Sequence, residues 1–205
     1  MSSKAENPHM KINGIGYRVA CWVGIAIAVV GLGFAAFMGW WLSALWLAAL
    51  LLYSLWQVAW EDRLPDLFDL LLVAAAVINA LGWAFDLFKK FSPYDVIAHG
   101  YTVFALTLTL GYLTYYGSRS HFRRHGLLFM VTIFCFGMAI GSLWEIVKWM
   151  FGVIGDIHDT IMDLIMDALG ASAASALSVW LNKHESEGKA HEPNQPSASA
   201  LTGAA

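Results

Sequence analysis

The sequence contains few charged residues. Only 13% of its 205 residues are Asp, Glu, Lys or Arg, whereas 59% are hydrophobic. A soluble domain with this balance would expose extensive apolar surface to water, so the composition argues against an ordinary soluble fold. The net charge of -3 also provides no basic surface for a phosphate backbone, which argues against nucleic acid as a partner.

Cysteine is also scarce. Cys21 and Cys135 lie in separate apolar runs and lack the C-x-x-C spacing of a zinc ribbon, so the sequence suggests no disulfide framework. We interpret both as small packing residues. The first 16 residues are polar and the next apolar run has spanning length, a pattern that favours a retained first helix over a cleaved signal peptide.

Long apolar runs are abundant. A helix needs about 20 mostly apolar residues to cross a bilayer, and several runs reach that length. The pattern predicts an all-α integral membrane protein with a bundle of about six transmembrane helices, at residues 17–38, 41–60, 67–85, 93–115, 127–151 and 156–181. A polar segment, 1–16, precedes this membrane domain, and a tail without periodicity, 182–205, is predicted to be disordered.

The basic residues are distributed unevenly between the two predicted faces of the membrane. Nine of the twelve fall on the side that holds both termini, and three, Lys89, Lys90 and Lys148, fall on the other. Cytoplasmic segments carry the excess of Lys and Arg. We therefore predict a multi-pass protein of the bacterial inner membrane with both termini in the cytoplasm.

The acidic residues follow a different distribution. Seven of the fifteen map to the outward half of the bundle: Asp86, Asp95, Glu145, Asp156, Asp159, Asp163 and Asp167. An ionised group within the bilayer costs several kcal/mol unless it is paired, hydrated or bound to a metal, so such acids point to function. Asp95 and His99 share a face of the fourth helix, and antiparallel packing would bring Glu145 of the fifth helix to a similar depth.

The sixth predicted helix carries the strongest acidic pattern. At 100° per residue, its four aspartates fall within an arc of about 80° and extend along the helix for about 16 Å. Hard divalent cations prefer oxygen ligands, so this stripe predicts a site for Ca²⁺, Mg²⁺ or Mn²⁺. The stripe consists of Asp156, Asp159, Asp163 and Asp167.

Simpler interpretations exist for several of these residues. Asp95 can cap the fourth helix, and Asp156 or Asp159 can cap the sixth. His158 fits an ordinary loop residue, and Asp69 fits a cap or a snorkelling side chain near the inner end of the third helix. Asp163 and Asp167 are too deep in their helix for capping.

Three segments carry a resemblance to known membrane proteins. They are Pro93-Tyr94-Asp95-Val96-Ile97-Ala98-His99, Gly141-Ser142-Leu143-Trp144-Glu145-Ile146-Val147-Lys148-Trp149, and the run from Asp156 through Gly170-Ala171. In this order they resemble the YjdF and VanZ-like families of small bacterial membrane proteins, which are distantly similar to headgroup-exchanging phosphatidylserine synthases. Lys148 stands where related sequences often carry a second acid, in E-x-x-E-W.

The resemblance implies lipid-headgroup chemistry around a divalent cation, with Asp95, His99, Glu145, Asp159 and Asp163 as the matching positions. We therefore predict a metal-dependent enzyme that hydrolyses or transfers a lipid headgroup at the outer face. Glu145, Asp159, Asp163 and His99 are the predicted ligands. His99 is also the predicted general base, with Asp95 orienting its ring and Glu145 in the catalytic set.

Two other function classes fit the same residues. A line of carboxylates along one helix can relay protons or cations in a transporter. Alternatively, the acids can bind a partner in a non-catalytic accessory subunit. The expected partners are membrane lipids, with a homo-oligomer or a membrane complex as further options.

Overall fold

The computed structural model describes residues 15–59, 66–115, 125–153 and 156–190. These residues form seven helices and no strand: α1 Ile15–Phe37, α2 Trp41–Ala59, α3 Asp66–Ala84, α4 Leu87–Lys90, α5 Ser92–Tyr115, α6 Gly126–Met150 and α7 Ile157–Ala190. All except α4 are long and apolar enough to cross a membrane. The predicted all-helical membrane bundle is confirmed.

Local sequence signals explain where several helices begin and end. Gly39 adopts a positive φ of 76° between α1 and α2, a conformation that glycine reaches without steric cost. Asp86 occupies the left-handed region between α3 and α4, which Asp tolerates better than most residues. At the start of α7, the Asp159 backbone N–H donates to Asp156 Oδ1 at 2.8 Å, so Asp156 caps this helix as one interpretation expected.

The bundle consists of two groups of three spanning helices. In one group α1, α2 and α3 pack on one another, and in the other α5, α6 and α7 do so, with α3 against α5 joining the groups. Consecutive spans run in opposite directions. We use the name site end for the end of the bundle at which α5 and α7 begin and α6 ends. The other end of the bundle is the opposite end.

The last helix differs from the sequence prediction. We expected it to end at Leu181 and a disordered tail to follow, but α7 continues to Ala190. Residues 183–190 contain Lys and Glu, which are good helix formers, and although Gly188 is a poor one, no proline interrupts the helix before Pro193. Residues 1–14, 60–65, 116–124, 154–155 and 191–205 lie outside the described part of the chain. The orientation of the bundle in the membrane remains a prediction.

Candidate functional site

Close packing of α5 on α7 brings the functional side chains together. Gly100 sits against Met166, and a side chain at Gly170 would collide with the Gly100 carbonyl oxygen. Small residues at a helix interface allow backbones to approach closely in lipid. Because His99 precedes Gly100, this contact places the His99 ring among the aspartates of α7.

The His99 ring lies between carboxylates on both of its edges. Nε2 is 3.4 Å from Asp163 Oδ2 and 3.9 Å from Asp95 Oδ1. Nδ1 is 3.4 Å from Asp167 Oδ1. A neutral ring protonated on Nδ1 donates to Asp167 and directs its Nε2 lone pair toward Asp95 and Asp163. We predicted that Asp95 orients the ring, but the carboxylate at Nδ1 belongs to Asp167.

Asp167 occupies a space that α6 leaves free for it. Its side chain is fully buried, and a Cβ added at Gly141 would collide with its carboxylate group. A residue with any side chain at position 141 would therefore displace Asp167. Asp167 Oδ2 has no hydrogen-bond partner among the described residues. The glycine of the Gly141-Ser142-Leu143-Trp144-Glu145 segment has a positioning role that the sequence did not reveal.

Lys148 is a member of the cluster and not a simple helix-end residue. Its Nζ lies 2.8 Å from Glu145 Oε1 and donates a hydrogen bond to Asp163 Oδ2 at 2.7 Å. Glu145 and Asp163 are 5% and 1% exposed. The spacing of three residues between Glu145 and Lys148, which puts both on one helix face, was the signal that could have identified this pair.

The acidic stripe of α7 divides into two parts. Asp163 and Asp167 face the bundle interior, whereas Asp156, His158 and Asp159 are exposed at the site end. Of these three, only Asp159 lines the cavity described below. The division follows position along α7, because the deeper turns pack closely on α5 and α6, where Gly100 meets Met166 and Gly141 meets Asp167.

One donor set in the cluster has the composition of a metal site. Asp95, His99 and Asp163 each offer one ligand atom, and the three atoms lie within 4.8 Å of one another. Two carboxylates and an imidazole suit a divalent cation. If a metal bound this set, Asp167 would be the outer carboxylate that fixes the histidine ring. Glu145 and Asp159, which we also predicted as ligands, lie outside this set of three, and their role remains a prediction.

The cluster borders a cavity of about 140 Å³. Asp95, His99, Lys148 and Asp167 contribute to its polar wall. The remaining wall is largely apolar and includes Leu42, Trp46, Trp83, Phe88, Leu106, Ile140 and Trp144. A cavity with a charged wall and an apolar wall, inside a membrane bundle, suits a ligand that has both a polar head and an apolar body.

A hydrogen-bonded network across the two helix groups supports the apolar wall. Asn79 Nδ2 donates to Thr102 Oγ1 at 2.9 Å, and Trp46 Nε1 donates to Asn79 Oδ1 at 3.3 Å. The Trp46 ring stacks on Trp144 with a centroid distance of 4.3 Å. Sequence reasoning missed this network, although a single amide such as Asn79 within an apolar span was a signal.

Comparison with known proteins gives a family and no finer assignment. A family model described as "Predicted membrane protein (DUF2238)" matches residues 17–184. No curated protein matches the chain, and no solved structure matches it.

Proposed function

Because the chain belongs to the predicted membrane protein family DUF2238, we propose a membrane-embedded activity for its site: metal-dependent hydrolysis or transfer of the headgroup of a phospholipid or polyprenyl-linked lipid. The observation that carries this proposal is the arrangement of His99. Its Nδ1 edge is held by Asp167, and its Nε2 edge faces Asp95 and Asp163 beside an amphipathic cavity.

The charges of the cluster support a bound cation. Four carboxylates, from Asp95, Glu145, Asp163 and Asp167, lie near one ammonium and one imidazole. Buried like charges repel each other strongly where water is scarce. A divalent cation held by Asp95, His99 and Asp163 would offset the excess. When bound, such a cation supplies positive charge to lipid phosphate oxygens and to the transition state.

The protein's own side chains have separate roles in this proposal. His99 acts as a ligand in preference to a general base, because a cation bound at Nε2 would occupy the lone pair that a base needs and Nδ1 faces Asp167. Asp167 is a positioning residue that fixes the ring. Lys148 lines the cavity and holds Asp163 in place, so it can also attract a phosphate group. Asp95, a quarter of whose side chain is exposed, offers one oxygen to the cation, and its other oxygen can accept a proton from an attacking water or alcohol.

The predicted resemblance to YjdF, VanZ-like proteins and phosphatidylserine synthases is the source of this proposed chemistry, whereas the comparisons give only the family DUF2238. On the proposed orientation the site lies at the outer face of a bacterial inner membrane. In those sequences a second acid often occupies the position of Lys148. Here the ammonium of Lys148 bridges Glu145 and Asp163. We propose that the reaction needs only the three-residue donor set of Asp95, His99 and Asp163.

The test is a headgroup-release assay with the purified protein in nanodiscs of phosphatidylethanolamine, phosphatidylglycerol and a polyprenyl diphosphate. Water-soluble products are measured by mass spectrometry with Mg²⁺, Mn²⁺ or Ca²⁺, and with EDTA. We expect release only with a divalent cation. The double variant His99→Ala/Asp163→Asn should show none, whereas Asp86→Asn, at the same end but outside the cluster, should retain it. Equal release by the double variant and the wild type would refute the proposal.

A second candidate function has its own supporting observation. Glu145, Lys148, Asp163, His99 and Asp167 form a continuous chain of ionisable groups, each within 3.4 Å of the next. Such a chain can transfer protons or cations in a transporter. Flux of protons or cations into proteoliposomes without headgroup release would favour transport, and absence of both activities in a stable membrane complex would favour an accessory subunit.

A further inference from the structure

The cavity beside the His99 cluster extends beyond the charged groups. On α5 its wall runs from Asp95 to Leu106, which corresponds to about 16 Å along the helix. On α6 its wall runs from Lys148 back to Ile140. On these two helices the part of the wall nearest the opposite end is therefore apolar, because Leu106 and Ile140 form it.

This cavity is too small to enclose a whole membrane lipid. Its volume is about 140 Å³. Pockets that enclose a drug-sized ligand measure about 300–1,000 Å³, and a phospholipid or polyprenyl lipid is larger than such a ligand. A lipid whose headgroup reaches the His99 cluster must therefore extend most of its chain out of the bundle, through a gap between two helices.

The helix arrangement provides such a gap between α2 and α6. α2 packs on α1 and α3, and α6 packs on α5 and α7, whereas in the described part of the chain α2 and α6 do not pack closely on each other. Both nevertheless line the cavity, α2 with Trp46 and α6 with Trp144. The residues before these two, Leu45 and Leu143, are 63% and 61% exposed on the apolar surface of the bundle. The gap therefore lies between the cavity and the surface that faces lipid.

Two aromatic side chains bridge this gap. The Trp46 and Trp144 rings stack across it with their centroids 4.3 Å apart, and both residues are half-buried. Trp46 is anchored, because its indole N–H donates to Asn79. Trp144 makes no hydrogen bond to the described residues. The Trp144 ring can therefore move away from Trp46 without the loss of a hydrogen bond, and an apolar chain can take its place against Trp46.

We propose that a lipid of the surrounding bilayer enters the cavity sideways, with its hydrocarbon chain passing between α2 and α6 beside Trp46 and Trp144. That the ligand is a lipid rests on the proposed function, but its binding does not require the reaction. The headgroup lies against the polar wall, and the first part of the chain lies against Val103, Leu106 and Ile140. Val103 and Leu106 are 5% and 7% exposed, so a lipid that stays outside the bundle does not reach them.

The experiment is photolabelling of the purified full chain in nanodiscs that contain a phosphatidylglycerol analogue with a diazirine in one acyl chain, near the headgroup. Mass spectrometry of the digested protein identifies the labelled residues. We expect labels on Val103 or Leu106 as well as on exposed residues such as Leu143. Labels on exposed residues alone would overturn the proposal, even if the protein releases headgroups. Labels on Val103 or Leu106 without headgroup release would support it and contradict only the proposed reaction.

A cross-link across the gap tests the path of the chain. Trp46→Cys and Trp144→Cys are combined with Cys21→Ala and Cys135→Ala, and a short bismaleimide then joins the two new thiols. The cross-linked protein should lose the label on Leu106, whereas the same variant before cross-linking should keep it. Equal labelling before and after cross-linking would show that the chain enters elsewhere and would overturn the proposed path. If this variant does not fold, the residues labelled in the wild type still decide whether the chain occupies the cavity.

Discussion

Replacing Gly141 by alanine tests the proposed architecture of the site with a single methyl group. A Cβ at this position would collide with three atoms of the Asp167 side chain: Cβ, Cγ and Oδ2. Asp167 is fully buried and contacts His99, so it cannot move into solvent. The substitution should therefore push Asp167 away from the Nδ1 edge of the His99 ring.

The size of the effect follows from the packing. A group added to a filled interior costs about 1–3 kcal/mol, which corresponds to a fall in Tm of about 2–12 °C for a chain of this size. Loss of the carboxylate that fixes a metal-binding histidine weakens metal affinity by about 10–100-fold. Gly141→Ala should therefore lower both the thermal stability and the affinity for a divalent cation.

Gly33→Ala is the matched control. Gly33 lies within α1, and apart from the adjacent backbone of that helix no atom of the described residues lies within 4 Å of its Cβ position. Alanine is the better helix former, so this variant should match or exceed the wild type in stability by up to about 1 kcal/mol. Tryptophan fluorescence during heating reports Tm, and a titration with Mn²⁺ followed by paramagnetic resonance reports affinity. If Gly141→Ala behaves like Gly33→Ala in both measurements, the placement of Asp167 against α6 is wrong.

Two further substitutions test the interactions around the cavity. Lys148→Met leaves Glu145 and Asp163 without their ammonium, and breaking a buried ion pair costs about 3–5 kcal/mol. Tm should fall, and Mn²⁺ should restore part of the loss; an unchanged Tm would contradict the ion pair. Asn79→Leu deprives Thr102 and Trp46 of their partner, at a cost of about 1–3 kcal/mol. Denaturant unfolding that matches the wild type would contradict this network.

The membrane spans were predictable because the pattern that marks each of them, a long run of apolar residues, lies within one segment of the sequence. The run 126–150 is predominantly apolar despite Glu145 and Lys148, and the bilayer requires about 20 mostly apolar residues in succession whatever the tertiary contacts. The start of α7 was predictable for a similar reason, since capping by Asp156 involves only residues within one turn. The far end of α7 was not predictable from the sequence. The apolar pattern stops at Leu181, but polar residues can still continue a helix.

The candidate site was predictable only in part. Periodicity placed Asp95 with His99, and Asp163 with Asp167, since residues four apart share a helix face. The same periodicity grouped Asp156 and Asp159 with the deep aspartates, although depth separates them. Lys148 was counted only among the basic residues of one membrane face, and the hydrogen bond that joins it to Asp163 connects two different helices.

The sequence alone determined that this chain spans a membrane as a helical bundle and that acids accumulate toward one end, because hydropathy and helical period are properties of neighbouring residues. Only the tertiary structure decided which carboxylate holds each nitrogen of His99, why position 141 needs a glycine, and that Asp69 is buried beside Tyr17. Those outcomes depend on the rotation and spacing of the helices within each group. One group is α5, α6 and α7, and the other is α1, α2 and α3. Such contacts join residues that are distant in the chain, and no local pattern encodes them.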